Sequence, residues 1–237
     1  MAREKNFRFK QFSIKNEKSA MKVGTDGVLL GAWCDVEDVK TVLDIGTGTG
    51  LLALMVAQRC NAEIIAVEID VDAVEEAKLN FELSPWEERL RVVHSDFVDF
   101  SKNCELKFDV IVSNPPYFID SLVCPDEKRL KARHTESLSY ENLIEGAVKL
   151  LNDDGYMCII TPSDVEGYLD NVIKNNGCFV EKKLYVHPIV GGEIKRILWK
   201  LGKKSVGCVV GHIEIEKARH EYTDEYIALT CEYYIKM

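Results

Sequence analysis

Thr41-Val42-Leu43-Asp44-Ile45-Gly46-Thr47-Gly48-Thr49-Gly50-Leu51-Leu52 is the stretch whose reading decides the fold. Thr41 to Ile45 is apolar and β-branched apart from one acid, which suits a strand buried on both faces. Three glycines at alternate positions then end the ladder. Glycine reaches positive φ without strain and lets a ligand approach the backbone closely. Helical periodicity resumes over 51–59, so the unit is strand, tight turn, helix. The same alternation continues outward. Residues 63–69, 91–94, 107–113 and 155–161 read as strands, and 71–81 and 140–151 as helices. The second of these is closed by the stop signal Asn152-Asp153-Asp154-Gly155. The pattern predicts a Rossmann-like α/β fold, a mostly parallel central sheet with helices on both faces. Ligands in such sheets sit beyond the carboxyl ends of the strands. The last third differs: 179–186, 194–201 and 207–215 read as strands joined by glycine-bearing turns, an antiparallel C-terminal edge. Thr223 is placed to cap a final helix whose Tyr226, Leu229, Tyr233 and Tyr234 form a packing stripe.

A second motif, Ser113-Asn114-Pro115-Pro116-Tyr117-Phe118, closes the strand 107–113. Neither proline can donate to a ladder, and Pro115 pushes Asn114 out of the helical region. The result is a rigid corner at a strand's carboxyl end. Asn114 through its side-chain oxygen and Pro115 through its carbonyl can both accept from an exocyclic amine, and Tyr117 offers a ring for stacking. The glycine loop does not fit a nicotinamide dinucleotide site, because Leu51 stands where G-x-G-x-x-G needs its third glycine. Asp44 would also repel a pyrophosphate. No Gly-Lys-Ser/Thr follows, so a phosphate-binding P-loop is excluded. A carboxylate there suits an amine-bearing or cationic ligand such as the methionine part of S-adenosylmethionine. Glu68 stands 20 positions after Gly48, at the end of the next strand, where an acid can hold ribose hydroxyls. Asp96 follows the third strand, placed to accept from an adenine amino group with Phe97 beside the ring, or to cap a helix.

Composition is that of an ordinary soluble protein: 237 residues, 46% hydrophobic and 29% charged. That length fits one domain, 1–237, with residues 1–22 as a basic N-terminal arm. No apolar run approaches the roughly 20 residues of a membrane span, and the basic N-terminus has no signal-peptide core. Eight cysteines form no C-x-x-C pair, which predicts reduced thiols in a cytoplasmic protein without a metal. The net charge is −9, yet residues 1–22 carry seven cations against two carboxylates, a balance of +5 that leaves −14 for the rest. A basic arm on an acidic body is a local electrostatic footprint for a polyanion. Arg8 and Lys10 in the arm, and Lys128, Arg129, Lys131 and Arg133 after the proline corner, are the candidate cations for binding phosphate, and so for RNA if the polyanion is a nucleic acid.

Taken together, the loop, Glu68, Asp96 and the Asn-Pro-Pro-Tyr corner resemble class I S-adenosylmethionine-dependent methyltransferases, in the branch that modifies exocyclic amines. Phe7 to Phe12, Met21 to Trp33, Ser84-Pro85-Trp86 and Tyr222 to Tyr226 are similar to the family of bacterial tRNA1(Val) (adenine(37)-N6)-methyltransferases. The resemblance implies a cofactor pocket lined by Asp44, Gly46, Gly48, Gly50, Glu68, Asp96 and Asn114. It also implies that Lys22, Thr25 and Asp26 cover the methionine end, that Asn114, Pro115, Pro116 and Tyr117 form the catalytic corner, and that the partner is tRNA. The corner alone does not separate an adenine amine from a protein glutamine amide. The basic arm, and the 43 residues ahead of Asp44 where glutamine enzymes resemble a longer helical domain, favour RNA. The length hardly leaves room for the target-recognition domain of a DNA adenine methyltransferase. A silent RNA-binding module would not need Asn114 and Tyr117.

Overall fold

The computed structural model describes residues 6–19, 22–116 and 138–236. In chain order its elements are β1 (Asn6–Arg8), β2 (Ser13–Lys15), α1 (Thr25–Trp33), β3 (Thr41–Ile45), α2 (Leu51–Arg59), β4 (Glu63–Glu68), α3 (Val71–Glu82), β5 (Leu90–His94), α4 (Phe97–Asn103) and β6 (Phe108–Ser113). Then follow α5 (Tyr140–Leu150), β7 (Leu151–Pro162), α6 (Glu166–Asn175), β8 (Phe179–Ile189), β9 (Arg196–Gly202), β10 (Val209–Ala218), β11 (Glu221–Tyr222) and α7 (Asp224–Thr230).

Among the described residues, nine strands form one sheet in the order β11-β10-β8-β9-β7-β6-β3-β4-β5. The pairs β5·β4, β4·β3, β3·β6 and β6·β7 are parallel. The chain runs outward from β3 to β5, then returns to the other side of β3 as β6. That reversal opens a crevice at the carboxyl ends of β3 and β6, where α/β sheets bind ligands. Register sets Ile45 beside Ser113, and the Ser113 hydroxyl donates to the Ile45 carbonyl at 2.8 Å. The glycine loop and the proline corner therefore start from one fixed point.

Side-chain alternation splits the core in two. Val42, Val110, Val112, Cys158 and Ile160 face a layer built from α1, α2 and the ring of Phe81 on α3. Leu43, Ile45, Ile111, Met157 and Ile159 face α5 and α6 with Phe97 of α4. Each face of the sheet thus removes a continuous apolar surface from water, worth about 25 cal/mol per Å². Side-chain caps start four of the helices: Asp70, Asp96, Ser139 and Thr223 each accept from a backbone N–H three residues on. Each cap is worth about 1 kcal/mol.

Three details depart from the expectations. Asn152-Asp153-Asp154-Gly155 does follow the end of α5, but it lies inside β7 as an irregularity in register against β6. The Asn152 amide donates to Asp109 at 2.7 Å, so these turn-forming residues are held against β6 at the bulge. The antiparallel edge holds for β9 with both β7 and β8, whereas β10 runs parallel to β8. With β9 already paired on both sides, the next strand can only join the outer edge of β8. The N-terminal segment is anchored rather than free: β1 and β2 form a hairpin, Phe9, Phe12 and Ile14 are buried, and Phe9 bridges to Tyr234. Tyr226 and Tyr233 are buried in the core as the packing stripe requires. Seven of the cysteines are free thiols, and the eighth, Cys124, lies outside the described residues. Among the described residues no helix is long and apolar enough to cross a membrane.

Candidate active site

A cavity of about 480 Å³ opens at the crevice between β3 and β6. One wall is residues 22–27, another is the loop 46–49 with Leu51 and Leu52, and Asn114 and Pro115 close the third side. Pro115 is buried and Asn114 half-buried. β6 ends at Ser113, as two consecutive prolines require. Gly27 lets α1 come close: a methyl group there would stand 2.9 Å from Leu51 Cδ2 and 3.9 Å from the Asn114 amide nitrogen.

Asp44 is fully buried beneath the loop and does not line the cavity. One carboxylate oxygen accepts from the Thr47 hydroxyl at 2.5 Å and from the Ala53 N–H at 3.1 Å. The other has no partner among the described residues. Burial pushes this carboxyl up to about 7; the hydrogen bonds from Thr47 and Ala53 oppose the rise, and the nearby Glu68 carboxylate adds to it. Asp44 thus shapes the loop and ties it to the first turn of α2.

Glu68 holds the loop from the other side. Its Oε2 accepts from Gly48 N–H at 2.9 Å, and its Oε1 accepts from Ile69 and Asp70 N–H at 2.8 and 3.0 Å. A carboxylate has lone pairs to spare beyond these. Asp96 caps α4 through Asp99 N–H at 3.1 Å, and Phe97 is buried in the core. Neither these two nor Glu68 borders the cavity itself. Lys22, Thr25 and Asp26 do line it. The Lys22 ammonium donates to the carbonyls of Asn16 and Ser19 and to the Asn16 side chain, and Asp26 pairs with Arg196 at 2.9 Å. Gly46, Gly48 and Gly50 all have positive φ, which a side chain would strain; Gly46 and Gly48 border the cavity, whereas Gly50 does not.

α3 supplies residues that motif reading passes over. Glu76, only 4% exposed, accepts from the N–H groups of Glu17, Lys18 and Ser19. Asn80, also buried, exchanges hydrogen bonds with the Lys15 backbone and donates to the Thr49 carbonyl at 2.8 Å. Together they strap residues 15–19 beside the glycine loop and lead the chain into the wall at 22–26. The contacts to residues 15–19 join positions 57 to 65 apart, so spacing carries no trace of them. Thr47, which the sequence reading also passes over, stands only three residues after Asp44, and that local spacing is the signal that could have marked it as a hydroxyl partner.

Arg8 is exposed, and the Lys10 ammonium donates to the Cys231 carbonyl. Tyr117, Lys128, Arg129, Lys131 and Arg133 lie outside the described residues.

An S-adenosylmethionine molecule can be tested against this geometry. At Gly46, with φ of +67°, the place a Cβ would take is open space on the cavity wall. A bare backbone loop, a carboxylate behind it and amide acceptors opposite fit a nucleoside bearing an amino acid and a cationic centre.

The methyltransferase small domain family matches residues 19–186. A tRNA1(Val) (adenine(37)-N6)-methyltransferase of Bacteroides fragilis is 49% identical over 232 residues, covering 98% of either chain. Its counterpart in Phocaeicola vulgatus is 48% identical over 231 residues with the same coverage. Among solved structures, a predicted O-methyltransferase from Agrobacterium tumefaciens superposes with a TM-score of 0.67 at 19% identity, covering 88% of this chain and 96% of that one. That likeness concerns the fold. The chain belongs to the methyltransferase small domain family and, within it, to the family of tRNA1(Val) (adenine(37)-N6)-methyltransferases.

Proposed function

We propose that this protein methylates N6 of an adenine in tRNA, adenine 37 of tRNA1(Val), with S-adenosylmethionine as donor. The single observation that carries the reading is the meeting of Asn114 and Pro115 with the glycine loop on one cavity. Family membership supports the choice of acceptor. When bound, S-adenosylmethionine supplies an electrophilic methyl group on a sulfonium. Residues 22–27 and 46–49 would hold it, with Glu68 offering its spare lone pairs.

An adenine amine is a weak nucleophile because its lone pair is delocalised into the ring. The Asn114 side-chain oxygen and the Pro115 carbonyl each accept one amine hydrogen, which favours a pyramidal nitrogen with its lone pair directed out of the plane. Both acceptors sit on a corner stiffened by two prolines, so they need no reorganisation as positive charge develops. No strong base is required, since the methylated ammonium is acidic and sheds its proton readily. Catalysis is then chiefly alignment. Tyr117, next but one after Pro115, would stack on the base, a contact worth roughly 1–3 kcal/mol. A loop purine leaves its stack at modest cost. A cytoplasmic location goes with a tRNA substrate.

The test is to incubate the protein with S-adenosylmethionine and bulk tRNA and digest the RNA to nucleosides for mass spectrometry. N6-methyladenosine is expected. Its absence, with N5-methylglutamine appearing in a parallel incubation with protein extract, overturns the assignment in favour of a protein amide.

A further inference from the structure

A second and larger hollow, about 920 Å³, adjoins the first and shares with it the wall formed by residues 23–26. Three distant parts of the chain converge on it: the hairpin residues Phe7 and Arg8, the β9 entry at Lys195 and Arg196, and the C-terminal segment around Tyr234 and Lys236. Four cations border it against two carboxylates, Asp26 and Glu216, on a protein whose net charge is −9. Asp26 is already neutralised by Arg196 at 2.9 Å, and Lys195 leans on Glu193 at 2.6 Å. Arg8 and Lys236 are exposed and form no ion pair among the described residues. Aromatic rings line the same hollow: Phe7 is 38% exposed, and its ring meets Tyr234 edge-on at 6.2 Å.

We propose that this groove seats the single-stranded RNA that runs on from the target adenosine, with its phosphates on Arg8 and Lys236 and a flanking base against Phe7. This rests on the tRNA reading above and names the surface that reading needs. Continuity is the first argument: residues 23–26 are common to the cavity that holds Asn114 and to the groove, so a strand leaving the first finds the second next to it. Charge is the second, since a net-positive hollow on an acidic body selects a polyanion locally. Exposed rings interleaved with cations are how single strands are bound. The hairpin's docking onto the C-terminal segment, through Lys10 N–H to the Tyr233 carbonyl at 2.8 Å, gains a purpose: it brings Arg8 and Lys236 to one rim.

The experiment measures tRNA binding by filter retention between 50 and 200 mM salt for the parent and for Arg8→Ala/Lys236→Ala. On a single strand, each phosphate neutralised by a cation adds about 0.7 to the salt slope, which corresponds to about 5-fold in affinity at 0.1 M salt. The double variant should therefore bind about 25-fold more weakly with a slope reduced by about 1.4. Its S-adenosylmethionine affinity and melting temperature should match the parent's. Arg8→Lys/Lys236→Arg should restore the slope, and Lys174→Ala on α6, away from both cavities, should leave it alone. A double variant with the parent's slope, while the parent methylates tRNA, overturns the groove and leaves the substrate intact. A parent that neither binds nor methylates tRNA overturns both.

Discussion

Glu76→Gln isolates the strap that α3 holds beside the glycine loop. The carboxylate accepts three N–H groups, two on Oε1 and one, from Ser19, on Oε2. Glutamine keeps the shape but has one oxygen. If that oxygen serves Glu17 and Lys18, the amide NH₂ faces the Ser19 N–H, donor against donor, at a residue only 4% exposed. Losing a hydrogen bond to a charged acceptor and leaving a buried donor unmet costs about 2 kcal/mol. That free energy makes opening of the strap about 30-fold more frequent, since each factor of ten corresponds to about 1.4 kcal/mol. Hydrogen exchange at the amides of residues 17–19 reads the opening directly. Calorimetry then reads the affinity for S-adenosylmethionine, which should fall only by the fraction of molecules in which the strap is open. Two independent numbers must therefore agree. If Ser19 protection is unchanged, Glu76 does not hold the strap. If protection collapses until the strap is mostly open and affinity stays at the parent value, the strap is no part of the site.

Gly46→Ala and Gly191→Ala make a matched pair. Both glycines have φ near +68° with open space where a Cβ would stand, so each substitution should cost about 1–2 kcal/mol of stability. Only Gly46 lines the cavity, so Gly46→Ala alone should weaken S-adenosylmethionine binding in calorimetry; equal effects of the two would remove the loop from the site. Asp44 carries a pH dependence. Its folded carboxyl sits at about 7 against an ordinary value of 3.8, so its neutral form is the one folding favours. That contribution is complete below about pH 4 and is lost as pH rises through about 7. Relative to Asp44→Asn, the parent should lose about 2–3 kcal/mol between pH 5 and pH 8 in urea unfolding; parallel stability curves would show that the group is ionised throughout.

Much of this architecture was legible because it rests on local rules. Thr41–Ile45 and its glycine loop, the termination of β6 at two prolines, and the caps at Asp96 and Thr223 follow from backbone sterics and side-chain hydrogen bonding within a few residues. α1 was not legible. Gly27 to Ala32 are buried on every side, so no polar face gives the segment a helical period. The parallel pairing of β10 with β8 depends on β9 being occupied on both edges, which strand-by-strand reading does not see. In the site, residue types were easier to find than their roles. Asp44 and Glu68 were picked out as ligand groups; that both also hold the loop by hydrogen bonds is a duty motif spacing does not show. Glu76 and Asn80 look like ordinary polar positions of an amphipathic helix. Their importance comes from partners nearly sixty residues away or more, a tertiary fact.

The central claim is that Asn114 accepts a hydrogen from the amine that is methylated. Its most direct test is the single-turnover rate of Asn114→Ala at saturating S-adenosylmethionine and tRNA, where differences in binding no longer count. Loss of one preorganised acceptor should slow that step by roughly 100- to 1,000-fold, with tRNA still bound. A single-turnover rate equal to the parent's would contradict the account.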